Sequence, residues 1–159
     1  MEKKESPRVT GISDITGRIV RVRHATEADM VFIGKQMKEH DYYTGDINYK
    51  EFVVSTEDNR ITGFGRLKQR CNICAIGCVV VVQEKKGQET EAVIIRHLID
   101  YAPVNKVYVM TDRPDYFRGL GFKEAKEGAQ EYFDALDLAA FDCLPERKKQ
   151  AVLMAYEKG

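Results

Sequence analysis

Hydrophobic and polar positions change period along the chain, and the changes mark its elements. Ile19, Arg21 and Arg23 alternate with Val20 and Val22, the period of two of a strand with one buried face. Thr26 then stands before Glu27, Ala28 and Asp29 and an apolar stripe of Met30, Ile33 and Met37, which predicts a helix capped by Thr26 with an acidic first turn. Phe52 to Ser55 and Ile61 to Leu67 read as two strands joined by the turn residues Glu57, Asp58 and Asn59. Ile73 to Val82 is almost wholly apolar, as expected of a central strand buried on both faces. From Glu89 the period becomes helical, with Ala92, Ile95, Leu98, Ile99 and Ala102 on one side, until Pro103 stops it. Lys106 to Met110 is again a short strand, so the unit from 73 to 110 predicts parallel pairing. Asp112-Arg113-Pro114 opens a short helix to Gly119, Glu127 to Leu138 carries a helical pattern, and Ala151 to Tyr156 is read as a last strand.

Composition narrows the classes. The 159 residues fit one domain, read here as 18–159, with residues 1–17 a tail or a loosely attached first hairpin. Equal numbers of basic and acidic residues, 25 of each, leave no general footing for a nucleic-acid partner. No run is long and apolar enough for a bilayer, and MEKKESPR has no apolar stretch behind it, so no membrane association and a cytoplasmic location are expected. In that setting Cys71, Cys74, Cys78 and Cys143 stay reduced. Their spacing invites a metal reading, but simple strand alternation puts 74 and 78 on one side and 71 on the other. They converge only if a bulge intervenes, so no metal is expected.

Three segments, in order, carry a resemblance. They are Phe52-Val-Val-Ser with Ile61-Thr-Gly-Phe-Gly-Arg-Leu, then Val79-Val-Val-Val-Gln-Glu-Lys-Lys-Gly-Gln running into Ile94-Ile-Arg-His-Leu, and Val107-Tyr-Val-Met-Thr with Tyr116-Phe-Arg-Gly-Leu-Gly-Phe. Over roughly residues 19 to 156 this order resembles the GCN5-related N-acetyltransferases. The resemblance implies an α/β fold, a mixed and splayed sheet flanked by helices, with acetyl-CoA as co-substrate. It places the pantetheine arm on backbone groups of Val79 and Val81 and the diphosphate at Lys86, Gly87, Gln88, Glu89, Thr90 and Glu91. Such a turn works by aiming backbone N–H groups at phosphate from a helix N-terminus.

The same comparison exposes departures. The two positions the family keeps small hold Glu89 and Glu91. Like charges ~4 Å apart at an effective dielectric near 20 repel by roughly 4 kcal/mol, so the pair opposes a diphosphate unless something compensates. Positions 71 to 82 contain no Asp or Glu to serve as a base, and Glu84 reads as a solvated turn residue. Where the family places a Tyr that protonates the leaving thiolate, the register puts Phe117, beside the cofactor, and Tyr116 is the neighbouring candidate acid. His40, Tyr42 and Tyr43 fall in the region that walls the family's acceptor pocket, and Arg66 is placed to pair with an acceptor carboxylate. Leu144-Pro145-Glu146 and Ala151 to Met154 resemble the tail of short bacterial N-acetylglutamate synthases, which makes an amino acid such as glutamate the alternative acceptor.

The expected function is transfer of an acetyl group from acetyl-CoA to a small-molecule primary amine by direct attack in a ternary complex. The alternative is a binding or regulatory protein that keeps the fold and does not use acetyl-CoA. Exposed sheet edges would permit a homodimer.

Overall fold

A computed structural model describes residues 9–15, 18–82, 89–128, 130–140 and 151–159. The strands are β1 (Val9–Ile15), β2 (Arg18–His24), β3 (Phe52–Glu57), β4 (Arg60–Arg70), β5 (Ile73–Val81), β6 (Lys106–Thr111), β7 (Lys123–Glu124) and β8 (Val152–Glu157). The helices are α1 (Met30–Glu39), α2 (Thr90–Tyr101), α3 (Pro114–Gly119) and α4 (Gln130–Ala140). Among the described residues the strands form one sheet in the order β1-β2-β3-β4-β5-β6-β8-β7. Only β5 and β6 pair in parallel. The strand, helix, strand unit read from residues 73–110 is therefore the crossover β5-α2-β6, and the last strand inserts antiparallel between β6 and β7. The described part of the N-terminal stretch is a hairpin strand on β2.

Helix α1 starts at Met30 with Asp29, not Thr26, at its N-cap, and Thr26 instead caps the turn before it. A short 3-10 turn, Glu27–Asp29, precedes it. The Asp29 carboxylate accepts from the Thr26 N–H (2.7 Å) and hydroxyl (3.1 Å), and from both terminal nitrogens of Arg23 (2.7 and 3.1 Å). Burial alone would raise this carboxyl, but the bonds from Arg23 and Thr26 hold it below the usual carboxylate range.

Two faces of the sheet carry different covers. On one, α2 buries Ile94, Ile95, Leu98 and Ile99 against Val20, Val22, Val53, Leu67, Cys74 and Ile76. Gly63 and Gly65 of β4 let it approach. A Cβ on Gly65 would lie 2.7 Å from Ile94 Cγ2 and 2.8 Å from Leu98 Cδ1. On the other face α1 packs Ile33 and Met37 on Phe52, Val54, Phe64, Cys78 and Val80, while α4 packs Ala135, Leu138 and Ala139 on Ala75, Tyr108 and Leu153. Lys68, buried on β4, donates from Nζ to the Leu138 carbonyl at 2.7 Å, a cation set against the C-terminal end of α4.

Simple alternation fails inside β5. Leu67 pairs with Ile76 but Arg66 pairs with Cys78, so Gly77 is an extra, bulged residue. The bulge reverses the facing of everything after it. Cys74 lies in the α2-side core and Cys78 in the α1-side core, which corrects the expectation that they share a side. Cys71 is exposed in the turn before β5, at φ +55°. Cys143 lies outside the described residues, and no group of three or more His, Cys, Asp or Glu able to hold a metal ion occurs among the described ones.

Two outcomes follow for folding. Gly65→Val should force α2 off the sheet and cost about 2 kcal/mol, the usual scale of overpacking, read as a lower denaturation midpoint. Asp29→Ala should cost about 2 kcal/mol at neutral pH, because it strips the turn and Arg23 of their acceptor. Since the folded Asp29 carboxyl lies below its unfolded value of 3.8, its contribution is present above that pH and lost as pH falls through the folded value. The gap between wild type and Asp29→Ala should therefore shrink on acidification, in parallel urea titrations.

Candidate functional site

The site is where the two parallel strands part. Their register holds for three pairs, Cys74 with Val107, Ala75 with Tyr108 and Ile76 with Val109. Beyond Ile76, β5 stays hydrogen-bonded to β4 as far as Val81, and β6 stays on β8 as far as Thr111. A wedge opens between them. Val82 N–H donates to the Thr62 carbonyl at 2.9 Å. Backbone groups in a ladder alternate direction with period two, so positions 80 and 78 also face β4, while those of Val79 and Val81 face the wedge. Among the described residues no strand lies beside them there. An extended ligand lying in the wedge would complete the ladder as a strand does.

Helix α2 begins on one bank of the wedge and α3 on the other. Lys86, Gly87 and Gln88, like Glu84, lie outside the described residues. Glu89 is the exposed residue before the first turn of α2. Thr90 is fully buried, and its hydroxyl has no hydrogen-bond partner among the described residues. Glu91 is turned toward the far bank, where its carboxylate accepts from Arg113, the residue at the start of α3. The two glutamates that look equivalent in sequence are thus different. One is solvated and the other is neutralised across the wedge.

Arg113 lies over the Tyr116 ring, 4.7 Å from its centroid. Tyr116 is half-buried, and burial, with Glu91 nearby, pushes its hydroxyl up to about 12. It is a proton donor at neutral pH. Phe117 instead points into the core, edge-on to Phe122 with centroids 5.2 Å apart. The short α3 therefore divides its two aromatics, with Tyr116 beside the charged pair and Phe117 in the packing beneath.

On the α1 face, Arg66 is 1% exposed and directly opposite Cys78. Its Nη2 donates to Glu51 Oε1 at 2.9 Å and lies 3.6 Å from Asp46 Oδ1, and its guanidinium sits 5.6 Å from the Phe52 ring centroid. Arg66 thus anchors the far end of the segment that follows α1. Tyr42 is half-buried, with its N–H donating to the Met37 carbonyl at 2.8 Å; Tyr43 is exposed beside Gly45; His40 ends α1. Sequence reading missed Glu51, Asp46 and the Glu91–Arg113 pair. Partners 15, 20 and 22 residues apart leave no periodic signal.

A groove of about 670 Å³ lies elsewhere, lined by Lys106, Tyr108, Lys123, Glu131, Tyr132 and Lys158 among others. It sits at the opening end of β6, whereas ligands of parallel strand pairs bind beyond their carboxyl ends.

Solved structures share this architecture. N-acetylglutamate synthase from Neisseria gonorrhoeae, complexed with coenzyme A and N-acetyl-glutamate, matches 88% of this chain with a TM-score of 0.70 and 16% identity. This chain spans about a third of that protein, 35% of its length. Rv2747 from Mycobacterium tuberculosis, in complex with CoA and NLQ, matches 86% of this chain and 98% of its own, with a TM-score of 0.66 and 20% identity. The ribosomal-protein-S18-alanine N-acetyltransferase from Escherichia coli matches 87% and 93%, with a TM-score of 0.58 and 13% identity. No protein-family model and no curated protein matches the sequence. The fold is that of the GCN5-related N-acetyltransferases, as the sequence resemblance implied.

The placement of Tyr116 has a measurable consequence. Its raised value stabilises the folded state below the ordinary tyrosine range, and that contribution is lost as pH climbs from 10 through about 12. Ultraviolet difference titration of wild type against Tyr116→Phe should remove a phenolate transition near pH 12, not one near 10.

Proposed function

We propose that the chain transfers the acetyl group of acetyl-CoA to the primary amine of a small molecule, by direct attack in a ternary complex. The observation that carries this reading is the wedge, with the backbone groups of Val79 and Val81 turned into it, on a fold whose solved neighbours hold coenzyme A. Acetyl-CoA would supply the thioester carbon that the amine attacks. The residues present fit it. Val79 and Val81 offer the pantetheine amides a ladder edge, and Thr90 offers a buried hydroxyl on the first turn of α2. As the resemblance implies, Lys86, Gly87, Gln88, Glu89, Thr90 and Glu91 would hold the diphosphate, and Phe117 would lie near the thiol.

Chemistry in this site is mainly positioning. The amine nitrogen forms its bond to the thioester carbon as the carbon–sulfur bond breaks, and the ammonium proton passes to solvent. Tyr116, protonated at neutral pH, gives its proton to the departing thiolate and is reprotonated from water. Fixing both reactants and donating from preset backbone groups supplies the remaining acceleration. His40, Tyr42 and Tyr43 would wall the acceptor side, whereas Arg66, buried and held by Glu51, is not open to an acceptor carboxylate, which corrects the expectation from sequence. Arg66 acts there through its hold on Glu51 and Asp46, and an amino acid such as glutamate is the alternative acceptor.

Against the non-catalytic alternative stands the Glu91–Arg113 pair. The two glutamates that would repel a diphosphate are accompanied there by one guanidinium, that of Arg113.

Calorimetric titration with acetyl-CoA, with desulfo-CoA as control, is the first test, and micromolar binding is expected. Val79→Pro removes an N–H that faces the wedge and leaves the β4 ladder intact, so binding should weaken about tenfold, the worth of one hydrogen bond, with little change in melting. A screen of amines with thiol release as readout then identifies the acceptor, glutamate included. No heat at millimolar acetyl-CoA would sink the proposal.

A further inference from the structure

The wedge has two banks, and one ion pair joins them. Glu91 belongs to the first turn of α2, on the β5 side, and Arg113 stands between β6 and α3, on the other. We propose that this pair is exchangeable, and that a phosphate of the incoming acyl-CoA takes Arg113 over from Glu91; the inference rests on the acyl-CoA reading above.

The geometry suits an exchange. Arg113 keeps a second support when the carboxylate leaves, because its guanidinium lies on the Tyr116 ring at 4.7 Å. Its side chain is 54% exposed, so an anion reaches it from solvent, while Glu91 is 24% exposed. Ion pairs this accessible contribute little net stability and are readily replaced. The guanidinium fork matches phosphate oxygens with two parallel hydrogen bonds, an exchange of one charge-assisted partner for a better one. On the same turn the buried Thr90 hydroxyl has no partner among the described residues, a donor that an anion held there would satisfy. Glu91 then acts as a stand-in for the ligand, keeping Arg113 in place and the wedge closed to weaker anions.

Calorimetry with CoA on wild type, Glu91→Gln, Arg113→Ala and Arg113→Lys tests this, each variant first checked by thermal melting. Exchange predicts opposite signs: Glu91→Gln binds CoA up to about fivefold more tightly, since no pair has to break, and Arg113→Ala binds at least tenfold more weakly. The gain in Glu91→Gln should vanish with pantetheine, which has no phosphate. Should Arg113→Ala not fold, Arg113→Lys with Glu91→Gln carries the comparison. If both substitutions weaken CoA binding, or if the gain survives with pantetheine, the pair is a structural clamp and the exchange is overturned while the acyl-CoA reading stands. Binding by Glu91→Gln alone, with none by wild type, means that a phosphate does not displace Glu91 and overturns the exchange. No binding by any of the four overturns both.

Discussion

Everything proposed for the site depends on β5 leaving β6 after Ile76 while each keeps its other neighbour. A strand that frays from a sheet on both sides loses its ladder and becomes mobile. Here β5 remains bonded to β4 for the whole divergent stretch and β6 remains bonded to β8. The wedge is therefore an opening with two rigid walls, and its unpaired backbone groups are held in position before any ligand arrives. Pre-positioned donors cost no reordering when they bind, which is where preorganised sites gain their affinity. The bulge at Gly77 coincides with the parting, and by shifting alternation by one residue it turns Val79 and Val81 toward α2 and Cys78 and Val80 toward α1.

Strand β4 supports both covers of the sheet by different means. Toward α2 it presents Gly63 and Gly65, so the helix seats by close approach of apolar side chains. Toward the other face it presents two buried cations. Arg66 reaches the segment after α1 through Glu51 and Asp46, and Lys68 reaches the last turn of α4 through the Leu138 carbonyl. Buried charges stay in place only when paired, so each cation fixes the position of the element it binds. One strand thus seats α2 through packing and ties the elements of the opposite face through polar contacts.

The periodic part of this was legible in the sequence. The crossover from β5 to β6, the stop of α2 before Pro103, and the splayed sheet followed from spacing of apolar residues and from the three family-like segments. Strand ends were read short: β4 extends to Arg70 and β3 to Glu57, because charged residues, the buried Glu57 and Lys68 among them, pair in a ladder without breaking it. The bulge could not be read, since Gly77 is as compatible with continuous pairing as with an inserted residue. Cys74 and Cys78 were assigned to one side for that reason. Side-chain pairing was equally hidden. Nothing local to Glu91 announces Arg113, and nothing local to Arg66 announces Asp46; only the fold brings those charges together.

That hidden pairing decides how the glutamates of the α2 turn should be weighed. Counting charges along the chain sets two carboxylates against a phosphate and reads the turn as hostile to acyl-CoA. Placing them in space changes the sum. Glu89 is exposed, where water screens it, and Glu91 is bound to a guanidinium that a phosphate would prefer. The residue that departs from the family's pattern is thus paired with a basic group on the opposite bank of the wedge.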